Sequence, residues 1–145
     1  MVVLACGTRE RQVSDVDGVL AIDFLLQHPS VLQHFASLSG QAWRPDVMPQ
    51  VTETDSSEEA LLSWKRSVAG DVVVPMLRRL FGRGLVERRG FTLALTAAGV
   101  GTADQLAGVM APPKRERVEL LAREFRADPL LARERLTSAL SAGSV

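Results

Sequence analysis

The chain has 145 residues, 46% of them apolar, and its 17 basic and 17 acidic side chains cancel to a net charge of zero. This length fits one compact domain, and the apolar share is ample for a core, which excludes global disorder. Tyrosine is absent and only two tryptophans occur, which argues against an aromatic surface for stacking bases.

Residues 1–16 are mixed in character and expected to be partly flexible. Val3-Leu4-Ala5-Cys6 has the look of a lipoprotein cleavage box. Only five residues precede the cysteine and none is basic, so a signal peptide is rejected. Helices are expected over residues 17–40. Asp17 reads as an N-cap; Val19, Leu20, Ile22, Phe24, Leu25 and Leu26 fill the first helix, and Pro29 ends it. Ser30 reads as the cap of a second helix, with Val31, Leu32, Phe35 and Leu38 inward and Gly40 as its stop. Residues 41–56 contain Pro45, Pro49 and many small polar residues, and read as a loop, either a functional arm or a mobile linker.

Ser56 and Glu59 have capping-box spacing, so a helix opens there with Leu61, Leu62, Trp64 and Val68 on its apolar side. Gly70-Asp71 marks a turn. The residue before a proline avoids the α region, which favours a helix starting at Pro75, with Met76, Leu77, Leu80 and Phe81 forming its buried face. Gly84 fits the left-handed position that closes such a helix. Two strands follow, Leu85-Val86-Glu87 and Phe91 to Leu95, with Phe91, Leu93 and Leu95 alternating against Thr92 and Ala94 and with Arg89-Gly90 at the tip. Thr96 caps a helix through about Ala107. Pro112-Pro113 punctuates the chain. Two helices are expected in residues 114–142, Lys114 to Ala127 and Pro129 to about Ala142, the first with an apolar face of Val118, Leu121, Ala122 and Phe125. A helix, a glycine stop, a hairpin and a capped helix in that order spell a winged helix. The expected fold is mostly α with a small β-hairpin: a winged helix-turn-helix core over residues 57–108 with extra N- and C-terminal helices.

Charge is unevenly spread. Residues 1–64 carry net −6, residues 65–89 carry +5 and residues 90–145 carry +1. The positive charge therefore falls on the winged-helix segment, as Lys65, Arg66, Arg78, Arg79, Arg83, Arg88 and Arg89 against Asp71 and Glu87. One reading is a phosphate-facing patch; the other is a solvated helix face paired with the acidic N-terminal half. As a DNA reader, the helix from Pro75 to Arg83 would enter the major groove, with Arg88 and Arg89 on phosphate or the minor groove. That helix lacks the Asn, Gln, Ser and Thr that commonly read base edges, so it would grip phosphates without reading sequence. As a protein binder, the chain draws attention to residues 19–26, which are apolar on several sides. Such a helix needs burial on more than one side, by a partner, by self-association or by the core.

No catalytic or cofactor chemistry is legible. His28 and His34 lie across a proline and, with one cysteine, make no zinc set. Gly82-x-Gly84 follows a helix and not a strand, and Gly99-Val100-Gly101 lacks a phosphate-loop lysine. No serine has a recognisable base, and Cys6 has no activating neighbours. The chain is expected not to be an enzyme and to need no cofactor. A lone cysteine fits a reducing cytoplasm, and no apolar run is long enough to suggest a membrane partner.

Several segments resemble the small middle component of bacterial ABC three-component systems, including the accessory subunit of Lamassu-type defence complexes. These are Asp23 to Leu32, Ser63-Trp64-Lys65-Arg66, Leu77 to Glu87 and Leu93 to Gly99, within residues 17–108. The chain departs from that pattern at Ser67 to Asp71, where an aromatic- and proline-rich turn is expected. The resemblance implies a non-catalytic bacterial subunit that bridges an SMC-like ATPase and an effector and touches double-stranded DNA alongside them. On this reading Arg78, Arg79, Arg83, Arg88 and Arg89 form the nucleic-acid surface. Trp64, Lys65 and Arg66 flank a partner site, with Trp64 as a core residue the competing reading. The alternative is a free-standing winged-helix transcriptional regulator, which requires a homodimer with paired terminal helices.

Overall fold

The computed structural model describes residues 16–39, 43–45, 47–48, 57–68, 73–90 and 92–142, and 79% of them are helical. The elements are α1 (Val16–Gln27), α2 (Pro29–Leu38), α3 (Ser57–Val68), α4 (Val73–Gly82), β1 (Val86–Arg89), β2 (Thr92–Leu95), α5 (Ala97–Val109), α6 (Pro112–Ala127) and α7 (Pro129–Ala142). The two strands form one antiparallel hairpin. None of the helices among the described residues is long and apolar enough to cross a membrane.

The α1 helix is the hub. Val19, Leu20, Ala21, Ile22, Phe24 and Leu25 are all at most 6% exposed, and α1 packs against α2, α3, α6 and α7. Most of its all-round apolar surface is therefore consumed by the core. Asp17 lies inside the first turn and is not the N-cap, since the helix begins at Val16. Its carboxylate still sits where the helix dipole favours negative charge. The cap of α2 is His28, at φ −123° and ψ 83°, with Pro29 in the first turn; Ser30 is already helical. Val31, Leu32, Phe35 and Ala36 are buried, while Leu38, expected inward, projects outward at the helix end. Phe35 stacks on Phe125 of α6 at 5.9 Å and 6°.

The expected apolar side of α3 is corrected. Leu61, Leu62 and Val68 are exposed, because the helix docks through the small Ala60 and the edge of Trp64. The start of α4 is also corrected: it begins at Val73, with Pro75 in the first turn where a missing N–H costs nothing. Leu77 and Leu80 are buried, whereas Phe81 is 41% exposed. The helix closes as expected at Gly84, which has φ 68°. Leu85 N donates to Leu80 O and Gly84 N to Phe81 O, both at 3.0 Å, the paired bonds of a Schellman ending.

The hairpin is shifted from its expected frame. Val86 pairs with Leu95 and Arg89 with Thr92, so Arg88 and Arg89 lie in the strand and not at the tip. Gly90 takes the positive φ of 62° that a tight turn demands. Phe91 lies outside the described residues. Leu93, Ala94 and Leu95 are all buried, so the strict alternation is lost and β2 is covered on both faces.

Thr96 caps α5 as its sequence position predicts, accepting from Gly99 N at 3.1 Å, and the helix runs on to Val109. Pro112-Pro113 opens α6 where the expected start was Lys114. Val118, Leu121, Ala122 and Phe125 are buried, as their spacing predicts. In α7, Ala132, Leu136 and Ala139 face the core. Within the 41–56 stretch, Val47 is fully buried. Arg117 donates to Val47 O and Met48 O, and Arg44 pairs with Glu116. The described part of this loop is thus pinned to α6. Of the expected flexible start at residues 1–16, Val16 instead opens α1 and the rest lies outside the described residues, as do the Gly40 stop, the Ser56 cap and the Gly70-Asp71 turn.

Candidate nucleic-acid and partner surfaces

Five arginines define the first surface. Leu77 and Leu80 anchor α4 to the core, and the helical repeat turns Arg78 and Arg79 to solvent. Arg83, expected as the last residue of this helix, lies in the turn just beyond it, with its N–H still bonded to Arg79 O at 3.0 Å. Arg78, Arg79 and Arg83 are exposed, and no ion pair among the described residues holds any of them. Arg88 and Arg89 are exposed on β1. Residues two apart in a strand share a face, and Arg89 reaches Glu87 Oε1 with Nε at 3.0 Å and with its terminal nitrogen at 2.8 Å. Arg88 Nε donates to Gly90 O at 3.0 Å, which braces the turn. Glu87 offsets part of the hairpin's charge, so the helix end is the more strongly cationic part.

The helix and the hairpin are held in one frame by α5. Thr96 N donates to Leu85 O at 3.1 Å, and the Thr96 hydroxyl donates to Gly84 O. Gly99 lies against the Leu85 carbonyl with no room for a side chain. The turn after α4 is therefore tied to the first turn of α5, which fixes Arg83 relative to Arg88.

The second surface surrounds Trp64. Its ring is half-buried and meets Phe24 edge-on at 5.0 Å and 62°, so it belongs to the core rim. Lys65 and Arg66 beside it are exposed. Trp64 and Val68, one turn apart on α3, form one wall of a cleft of about 330 Å³. Leu20 and Ala21 of α1 form its floor, and Leu136 and Thr137 of α7 the far wall. The Asp17–Arg133 ion pair sits on its rim. Sequence reasoning reached Trp64 but not this cleft. Its far wall lies more than a hundred residues from Asp17 along the chain, and no local pattern reports such an approach.

His28 plays a structural part, whereas the His34 side chain is exposed. His28 Nε2 is 2.9 Å from Ser63 Oγ, and its ring lies 4.4 Å from Phe24. Among the described residues no group of three metal-ligating side chains converges. A polar contact that sequence reasoning missed lies in the core: Glu124 is 5% exposed, accepts from Ser39 Oγ and lies 3.5 Å from Arg135. The chain matches no known protein family, no characterised protein and no solved structure.

Proposed function

We propose that this chain is a non-catalytic winged-helix adaptor. In this reading it joins an SMC-like or ABC-type ATPase to an effector in a prokaryotic antiviral or anti-plasmid complex, and grips double-stranded DNA by its phosphates. The observation that carries the reading is the set of exposed arginines, Arg78, Arg79 and Arg83, with no acidic partner among the described residues, beside a hairpin bearing Arg88 and Arg89. A surface of this kind attracts a polyanion, while α4 offers no amide or hydroxyl side chain to read base edges. The adaptor role draws on the resemblance of residues 23–32 and 63–66 to the ABC three-component subunit, and on the open cleft beside Trp64.

Fluorescence anisotropy on duplexes of unrelated sequence tests the DNA part. Weak, salt-steep binding that ignores sequence is expected. A strong preference for one duplex would instead favour a dimeric winged-helix regulator. One observation leans toward that second reading: α7 carries an exposed apolar ridge at Leu130 and Leu131.

A further inference from the structure

Phe81 is 41% exposed, although the helix that carries it buries Leu77 and Leu80. Residues three or four apart on a helix are neighbours, so Phe81 shares a face with Arg78. Val74, also 41% exposed, lies one turn before Arg78 on that face. Arg79 and, in the turn beyond the helix, Arg83 are exposed as well. From Val73 to Gly84 the sequence carries no acidic side chain. A large apolar ring is thus set in a cationic surface. Its backbone is fixed, since Gly84 N donates to Phe81 O in the closing bonds of α4. The space beside it is open: a β-carbon built on Gly82 would meet nothing within 4 Å.

Such a surface suits a partner that is anionic outside and aromatic within, the chemistry of a nucleic acid whose bases are accessible. The scarcity of aromatic residues argues against a stacking platform, but a wedge needs only one ring. We propose that Phe81 stacks against a base where pairing is interrupted, while the surrounding arginines hold the flanking phosphates. The target class is then duplex DNA with a local bubble or mismatch, in preference to fully paired duplex. A mismatched or unpaired base is the least costly to unstack. Phosphate attraction alone gives no such preference, because unpaired strands release fewer counterions per contact than B-form duplex. The inference rests on the DNA part of the proposed function and adds to it a choice between paired and unpaired targets.

Fluorescence anisotropy on two duplexes of equal length, one fully paired and one with a central mismatched bubble, tests it. The wild-type chain is expected to bind the bubble about five- to tenfold more tightly, the low end for one base stacked on an aromatic side chain. Phe81→Ala is expected to lose that gain, with an unchanged salt slope on the paired duplex and unchanged helical circular dichroism, because the ring is uncharged and lies at the surface. Phe81→Trp is expected to retain the gain. Arg79→Ala is expected to lower the salt slope and leave the gain in place. A fluorescent adenine analogue in the bubble is expected to change its emission on binding wild type and not on binding Phe81→Ala. Binding of the paired duplex with no gain on the bubble would overturn the inference and spare the DNA reading. So would a Phe81→Ala variant that keeps the gain, which would leave the ring to a protein contact. Failure to bind either duplex would overturn both.

Discussion

A β-carbon built on Gly99 would stand 1.9 Å from the carbonyl oxygen of Leu85, backbone against backbone. No side-chain rearrangement relieves such a clash, so α5 and the turn before β1 can approach this closely only with glycine at that position. Gly99→Ala is expected to destabilise the fold by about 2–3 kcal/mol, which at this size lowers Tm by roughly 6–10 °C. Thermal unfolding followed by circular dichroism measures it. An unchanged Tm would mean that the two segments are not in contact.

The burial of α1 separates core from surface among leucines that look alike in sequence. Leu25 is fully buried, and Leu25→Ala is expected to cost about 2–5 kcal/mol through lost burial and a residual cavity. Leu62 is 55% exposed, and Leu62→Ala is expected to change stability by less than about 0.5 kcal/mol. Urea unfolding of the two variants gives both numbers. Equal losses would show that α3 packs through a different face.

Glu124 and Arg135 form a pair inside the α6–α7 contact, and one carboxylate oxygen of Glu124 has no hydrogen-bond partner. Arg135→Met keeps the stem and removes the charge, leaving the buried carboxylate with Ser39 alone among its described polar contacts. A loss of about 1–3 kcal/mol is expected, the cost of a charged group left under-satisfied. Chemical denaturation would reveal it, and a neutral result would assign the stabilisation of Glu124 to Ser39.

In the proposed grip on DNA, the arginines are expected to contribute unequally. Arg79 has no acidic neighbour in the described ion pairs, whereas Arg89 is held by Glu87. Arg79→Ala should lower the slope of log affinity against log salt by about 0.9, the release attached to one phosphate contact on duplex DNA. Arg89→Ala should lower it less, because that guanidinium must leave Glu87 to reach a phosphate. Salt titrations of binding measure both slopes.

Much of the fold was legible because the chain marks its own element ends. Pro29, Gly84 and Thr96 each stop or start a helix for local stereochemical reasons, and the α6 face followed from spacing alone. The failures share a cause: periodicity shows that a face is apolar without showing what covers it. Leu38, Leu61, Leu62, Val68 and Phe81 read as inward and lie exposed, while the small Ala60 makes the buried contact of α3. The arginines were legible as exposed charges. The Glu87–Arg89 pairing needed the strand to run to Arg89, two residues past its expected end. Nothing local could reveal the hold of Arg117 on Val47, 70 residues away, or the cleft between α1, α3 and α7.

The proposed role places this chain inside a larger ATPase assembly. The most direct measurement is an affinity pull-down of the tagged protein from its native host, in nuclease-treated lysate at about 200 mM salt, where purely phosphate-driven contacts are suppressed. Stoichiometric recovery of a large SMC-like or ABC-type ATPase is the predicted result. Recovery of the protein with no ATPase would contradict the adaptor reading and leave the DNA-binding dimer in its place.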